Sequence, residues 1–430
     1  MDAIYERRVL QVARNRMVDE SVVFIEGPRS VGKSTLSRQL AEAHDAEIID
    51  LDDIVVRRAV EANPVLFASG PSPACFDEYQ KFPPVLDAVK AELNKRDAPG
   101  RFLLTGSTRH DAFPTTAQAL TGRLNHLPVY PLTQTEIEGT GVNLVQTVFE
   151  EPENLIWRET STTSREDYLG RVADGGFPIA LARRSRASKN RWFDDYTKLT
   201  LERDATEFAT IKRANLHPAL LRSLAGQTAQ VPNIKKASEK AGLDLRTGES
   251  YLRLLESVVL IQRIPAWRST LSNRATSTPK LHVVDSGVAA RLLQLTPEKL
   301  AHRDPTSLTE FGHLLETFVL GELQRHASWL DRISNVSHWR TRDNDEDDVV
   351  IERDDLRVIA FEVKTGTNIP SKELAPMVKL RNELGDRFLA GPILYTGGLS
   401  YTPETHIHVL PVDRLWTKEY EFGLNYRVAR

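Results

Sequence analysis

"SVVFIEGPRSVGKSTLSRQLAEA", residues 21–43, decides how the chain begins to fold. Val22 to Ile25 is an unbroken apolar run that reads as a buried strand, and Ser34 to Ala43 reads as a helix. Between them Gly27-Pro28-Arg29-Ser30-Val31-Gly32-Lys33-Ser34 fits G-x-x-x-x-G-K-[ST], with Thr35 following. The glycines let backbone N–H groups curl around phosphate oxygens, and the helix N-terminus adds the positive end of its dipole. In that pattern Lys33 reaches the β- and γ-phosphates and the Ser34 hydroxyl holds Mg2+. Gly27 through Thr35 is therefore expected to bind ATP with Mg2+, against the plainer alternative of a glycine-rich turn that merely opens a helix.

Such a loop needs an acidic strand end beside it. "PACFDEYQKFPP", residues 73–84, supplies Ala74-Cys75-Phe76 and then Asp77-Glu78. Asp77 is expected to hold Mg2+ through water, and Glu78 to polarise the attacking water. The alternative is an acid pair that caps a helix. Pro71 and Pro73 suggest that this strand starts late or lies at a sheet edge. A third strand, "RFLLTGSTR" at 101–109, ends in Thr105, Gly106 and Ser107, whose hydroxyls suit sensing of the γ-phosphate as well as a simple turn.

Composition limits what else the chain can be. With 430 residues there is room for two to four domains. The 56 basic and 59 acidic residues leave a net charge of −3, so nucleic acid would have to bind through a local patch. Arg183, Arg184, Arg186, Lys189 and Arg191 form the best such patch, although a run of this kind is usually a solvated face. The single cysteine, Cys75, excludes an internal disulfide and suits a reducing cytoplasm. The charged N-terminus does not resemble a secretory signal, and no apolar run reaches the ~18 residues of a membrane span. A cytoplasmic protein with no membrane partner is expected.

In the middle, "HPALLRSLAGQTAQ", "NIKKASEKAGL" and "RTGESYLRLLESVVLIQRIPAW" read as three helices and a strand. Thr247 is the expected N-cap of the third helix, with Leu252, Leu255, Val258 and Val259 as its buried stripe. Helix-turn-helix with a strand behind it is a winged-helix outline. Its recognition helix offers Arg253 but also Glu249 and Glu256, which a DNA backbone repels.

The last third holds "DNDEDDVVIERDDLRVIAFEVKTG", residues 343–366. It reads as two antiparallel strands turning near Asp354 and Asp355, which sets Asp348 opposite Glu362. Like charges facing each other destabilise a sheet unless a cation lies between them. Lys364 shares a face with Glu362. On the long preceding helix Glu316 falls inside the apolar arc, unexpected for a carboxylate without compensation. Glu316, Asp348 and Glu362 thus make three oxygen ligands for Mg2+ or Mn2+, with the Lys364 ammonium placed for a phosphodiester under attack. The alternative is a charged hairpin with surface ion pairs. His406 and His408 alternate nearby, and read as surface residues of a terminal strand.

"GPRSVGKST", "FDEYQKFP", "LLTGST" and "LTGRLNHLPVYPLTQTE", in that order, resemble a widespread bacterial and archaeal family of AAA+-superfamily ATPases with a C-terminal domain of unknown function. The resemblance implies a nucleotide loop at Gly27–Thr35, acids at Asp77 and Glu78, and a sensor strand end at Thr105–Ser107. It also implies a role for Arg123, which matches the family's Gly-Arg position. That arginine either neutralises transition-state charge, within the subunit or across a homo-oligomeric interface, or pairs with a carboxylate of the fold. The C-terminal Asp…Glu-x-Lys pattern resembles the restriction-endonuclease-like fold, mapping onto Asp348, Glu362 and Lys364. It departs in its crowding by Asp343, Asp345, Glu346 and Asp347.

The expected architecture is α/β: a P-loop ATPase domain with a parallel sheet (1–150), a helical winged-helix segment (151–275) and a restriction-endonuclease-like α/β domain (276–430). Three functions follow. One is an ATPase that gates a metal-dependent nuclease acting on DNA. The second is an ATP-dependent switch or scaffold with an inactive nuclease-like domain. The third is a winged-helix DNA-binding regulator.

Overall fold

The computed structural model describes residues 5–107, 120, 122–208, 218–268, 278–302, 304–341 and 345–418. Asp343, part of the acidic run, lies outside the described residues.

A five-stranded parallel sheet fills the first part, in the order β2 (Ile48–Asp50), β3 (Ala74–Asp77), β4 (Phe102–Gly106), β1 (Val22–Glu26) and β5 (Leu124–Pro128). Its central strands are apolar on both faces, as a sheet covered by helices on each side requires. One face packs with the rest of the molecule, and Phe24, Phe76, Tyr79 and Phe102 fill a separate core on the other. β3 is interior. The edge expected from its flanking prolines belongs to β2, whose three residues pair alongside it. Neither β2 nor β5 carries a period long enough to be read from the sequence.

Helices Pro218–Ala225, Ile234–Lys240 and Leu245–Ser257 follow, with an antiparallel pair, β6 (Ile261–Ile264) and β7 (Lys280–Val283). The expected division at 275/276 lies between these two paired strands in the chain. Leu252, Leu255, Val258 and Val259 are buried as their spacing demands. The N-cap of the third helix is Asp244, not Thr247. Its carboxylate accepts the Thr247 N–H at 2.9 Å and the Thr247 hydroxyl at 2.7 Å, so the helix starts one turn earlier than expected.

The last part is a six-stranded mixed sheet, ordered β12 (Tyr401–Glu404), β13 (Ile407–Pro411), β11 (Phe388–Tyr395), β10 (Val358–Lys364), β9 (Glu346–Arg353) and β8 (Ile333–Arg340). The β9–β10 hairpin turns at Asp354–Asp355 with Val349 opposite Phe361, the register expected from the sequence. His408 is buried on β13 beside Thr402, while His406 sits in the turn before it.

Helix Pro305–Ser328 ties the two large sheets together. On one side it packs against β8, β9 and β10. On the other, the Gln134 N–H donates to Glu322 Oε2 at 2.9 Å, and Arg325 donates to Leu132 O at 3.3 Å. Asn143 Nδ2 adds a bond to His326 O at 3.0 Å. Glu322 is fully buried, and burial pushes its carboxyl up to about 7, opposed by Arg325 and the Gln134 amide. The unfolded chain ionises this group near the ordinary value while the folded chain resists, so its contribution to stability declines as pH rises from 4.5 to 7 and is level above that. Glu322→Gln removes the titration. Its stability relative to wild type, from denaturant melts, should therefore improve by ~2–3 kcal/mol between pH 5 and pH 8.

Candidate functional site

Because β1 runs parallel to β4 and β5, and β3 to β4, the strands all end on one edge of the sheet. Glu26 aligns with Gly106, and Asp77 closes β3 beside Asp50. Three of the expected segments, the loop Gly27–Thr35, the acids Asp77 and Glu78, and Ser107, are thereby brought together. Loop-forming residues and Glu78 line a common cavity of about 590 Å3.

The loop is held by close packing from outside. A Cβ at position 27 would stand 2.0 Å from Val129 O, so only glycine fits there. Gly32 adopts φ +95° as the helix Lys33–Glu42 begins, a conformation that disfavours other residues. Arg7, unremarked in the sequence, donates to Val31 O at 2.6 Å, to Tyr130 O at 2.9 Å and to Glu136 Oε1 at 3.0 Å. Glu136 is buried and completes a capping box with Thr133. The T-x-x-E spacing of Thr133 and Glu136 was the available signal for this clamp.

Inside the loop the Lys33 ammonium is buried and donates to the carbonyls of Gly27 and Pro28, each at 2.9 Å. The Asp77 carboxylate accepts from the Thr105 hydroxyl. Glu78 is a left-handed residue, φ 54°, a strained conformation of the kind that clusters at functional sites. Its carboxylate accepts from the Gln80 amide and, at 3.2 Å, from the Ser107 hydroxyl. Gln80 also donates to Ser107 Oγ at 2.9 Å. Ser107 and Glu78 are thus coupled through one amide that sequence reasoning did not single out.

Arg123 lies elsewhere. It directly precedes Leu124, which pairs with Val22 at the far end of β1, about 13 Å of strand from the phosphate loop. Its guanidinium contacts Asn94 Oδ1 at 2.9 Å and Asp97 at 3.5 Å. At this position the arginine pairs with a carboxylate of the fold. The basic run is also partly neutralised, with Arg186 and Lys189 both bound to Asp174, at 2.5 and 2.6 Å.

The C-terminal cluster assembles, but around a residue the sequence reading missed. Beyond Val349 and Phe361 the hairpin ladder opens. The Asp348 N–H donates to Glu362 Oε2 at 3.2 Å and the Val363 N–H donates to Asp348 Oδ2 at 3.0 Å, so the two carboxylates cap each other's strands. Lys364 pairs with Glu362. Lys280, at the start of β7, enters between the acids. Its ammonium meets Glu316 at 2.7 Å, Glu346 at 2.5 Å and Asp348 at 3.0 Å, while its side chain is only 3% exposed. Those three contacts match its three N–H donors.

The electrostatics follow from this insertion. Burial alone would lower Lys280, but its carboxylates hold it well above the ordinary lysine value. Burial pushes Glu316 and Glu362 well up, and nearby Asp348 adds to both. Asp348 is pushed up by burial too, yet Lys280 and Lys364 override this and hold it low. Asp347 is fully buried with neither oxygen hydrogen-bonded, and burial and Asp348 raise it well above the usual range. His282 and His313 are lowered by burial and by Lys280, and His338 likewise to about 4.

The donor set therefore does not fit the expected metal. Glu316 and Asp348 share a protein cation, and among the described residues no group of three or more His, Cys, Asp or Glu side chains is arranged to hold a metal ion. The cation among Glu316, Glu346 and Asp348 in this structure is the Lys280 ammonium, while Glu362 pairs with Lys364. A strand beginning Lys280 and continuing with His282 on the same face was the only hint.

Residues 19–138, which contain the phosphate loop and its acids, match the family model described as AAA domain. Residues 165–299 and 311–415 match two domains of unknown function, DUF8612 and DUF4143. The chain is similar to the uncharacterized protein Rv2008c of Mycobacterium tuberculosis, 26% identical over 423 residues that cover 96% of this chain and 85% of that one. Mb2031c of Mycobacterium bovis, also uncharacterized, gives the same values. Among solved structures, the Walker-type ATPase PABY2304 of Pyrococcus abyssi shares 14% identity at a TM-score of 0.41, covering 67% of this chain and 96% of its own. The RuvB Holliday junction branch migration motor of Thermotoga maritima shares 16% at a TM-score of 0.29, covering 60% and 87%. Both structural likenesses are distant. No helix among the described residues is long and apolar enough to cross a membrane.

Replacing Lys280 by methionine would leave Glu316, Glu346 and Asp348 facing one another in a dry site. A loss of ~3–5 kcal/mol in chemical denaturation is expected, and a clearly smaller one when Asp348→Asn is already present. A nearly neutral Lys280→Met would contradict the assignment.

Proposed function

We propose that the protein is an ATP-hydrolysing switch whose C-terminal part is a catalytically silent nuclease-like domain. One observation carries this reading: Lys33 and Glu78 line one cavity, with the Ser107 hydroxyl bonded to Glu78, while Lys280 takes the cation position of the other cluster. Glu316, Asp348, Glu362 and Lys364 then form a neutralised structural core instead of a hydrolytic site.

In the ATP site the Lys33 ammonium exchanges its bonds to Gly27 O and Pro28 O for the β- and γ-phosphates. Gly27 through Thr35 wrap the phosphates with backbone amides. Ser34 would hold Mg2+ directly and Asp77 through water, and the ion when bound offsets phosphate charge. Glu78 acts as the base that orients and polarises water. To do so its carboxylate leaves Gln80 and Ser107, and a γ-phosphate that accepts the Ser107 hydroxyl's hydrogen bond favours that release.

The three helices and the β6–β7 pair support a winged-helix outline for the middle unit, extending to about residue 284. A DNA-reading role is disfavoured by Glu249 and Glu256 on its third helix and by the pairing of Arg186 and Lys189.

Phosphate release from ATP should fall to background in Lys33→Ala. In Glu78→Gln it should drop by at least ~100-fold with ATP binding retained. Hydrolysis undiminished in both variants would sink the ATPase assignment. Duplex and single-stranded DNA incubated with the wild type in Mg2+ or Mn2+, with and without ATP, should remain uncut. Nicking that disappears in Lys364→Ala would instead restore the nuclease.

A further inference from the structure

A γ-phosphoryl group in transfer carries negative charge that its site must offset, and an arginine beside it is worth several orders of magnitude in rate. Arg123 does not stand at the nucleotide end of the sheet, and its guanidinium is held by Asn94 and Asp97. Among the described residues that line the cavity at the phosphate loop, the cations are Lys33 and Arg29. Arg29 is the third residue of the loop, partly buried, and forms with Ser30 the turn between β1 and the helix Lys33–Glu42. Its place in the chain sets it at the γ end of a bound triphosphate. The Lys33 ammonium, which in this motif meets the β- and γ-phosphates, rests on the carbonyls of Gly27 and Pro28 at 2.9 Å each. Pro28 O belongs to the peptide group that joins Pro28 to Arg29, so Arg29 branches from the loop within one peptide of that ammonium. Glu78 lines the same cavity. Ser30 holds φ 64°, a left-handed conformation uncommon outside glycine and of the strained kind that clusters at functional sites.

We propose that Arg29 is the catalytic arginine of this site and acts within its own chain. The inference rests on the reading of Gly27–Thr35 as the triphosphate site and deepens it. As the water oxygen bonds to the γ-phosphorus, the bond to the β–γ bridging oxygen breaks. The electron pair of that bond stays with ADP, and a proton of the water passes to Glu78. The Arg29 guanidinium, charged at every working pH, donates to the γ-phosphate oxygens and offsets their charge during transfer. A second copy of the chain is then not required to complete the site.

The test separates turnover from binding in the full chain. Arg29→Ala should lower kcat for ATP by at least ~100-fold, while its affinity for Mg-ADP, by calorimetry, stays within ~3-fold of wild type. Arg29→Lys keeps the charge without the planar fork and should recover less than ~10-fold of that loss. The wild-type rate per chain should stay constant on dilution. An excess of Lys33→Ala chains, which carry Arg29 but do not hydrolyse ATP, should not rescue Arg29→Ala. Undiminished hydrolysis in Arg29→Ala would overturn the proposal and leave the ATPase reading standing. So would an equal loss of its ADP affinity, which makes Arg29 a support of the loop, or its rescue by Lys33→Ala chains, which places the arginine's action across copies. A wild type that hydrolyses no ATP would instead overturn the ATPase reading itself.

Discussion

A buried ammonium group surrounded by carboxylates governs what the C-terminal half of this molecule can be. Three acids from a helix and a strand converge where the β9–β10 ladder opens, and without a cation their repulsion would force the sheet apart. Lys280 supplies that charge from the first residue of β7. Because it belongs to the strand pair that closes the middle unit, the same contact fixes that unit against the last sheet. Charge compensation and unit packing are one interaction here.

Helix Pro305–Ser328 extends this constraint to the nucleotide side. Glu316 meets Lys280, and two turns further on Glu322 and Arg325 hold the segment that begins at Leu132. Four residues beyond Leu132, Glu136 grips Arg7, which grips the phosphate loop through Val31 O. Polar contacts, joined by the helix and the segment between them, therefore link the loop to the acid–lysine cluster. The side chains involved are buried or half-buried, where each bond counts for more than it would in water.

Much of the nucleotide site was legible in sequence because its geometry is local. Gly27, Gly32 and Lys33 must stand at fixed spacing for a loop to wrap phosphates, and a strand end with Asp77 and Glu78 must adjoin it. The C-terminal register was legible for the same reason: a turn at Asp354–Asp355 fixes which residues face each other. What escaped was long-range. Lys280 reaches Asp348 across 68 positions, and Arg7 reaches Glu136 across 129. Arg123 matched a motif, but a motif does not say at which end of a strand its residue will stand. Thr247 and Asp244 both have capping chemistry, and only the packing of the helix decided between them.

The account requires one divalent-cation site, at the bound nucleotide, and none among Glu316, Asp348 and Glu362. Counting bound Mn2+ by electron paramagnetic resonance, with and without ATP, tests that directly. One Mn2+ per chain in the presence of ATP and none in its absence is the predicted result. An Mn2+ that binds without nucleotide and is lost on Glu362→Gln would contradict it.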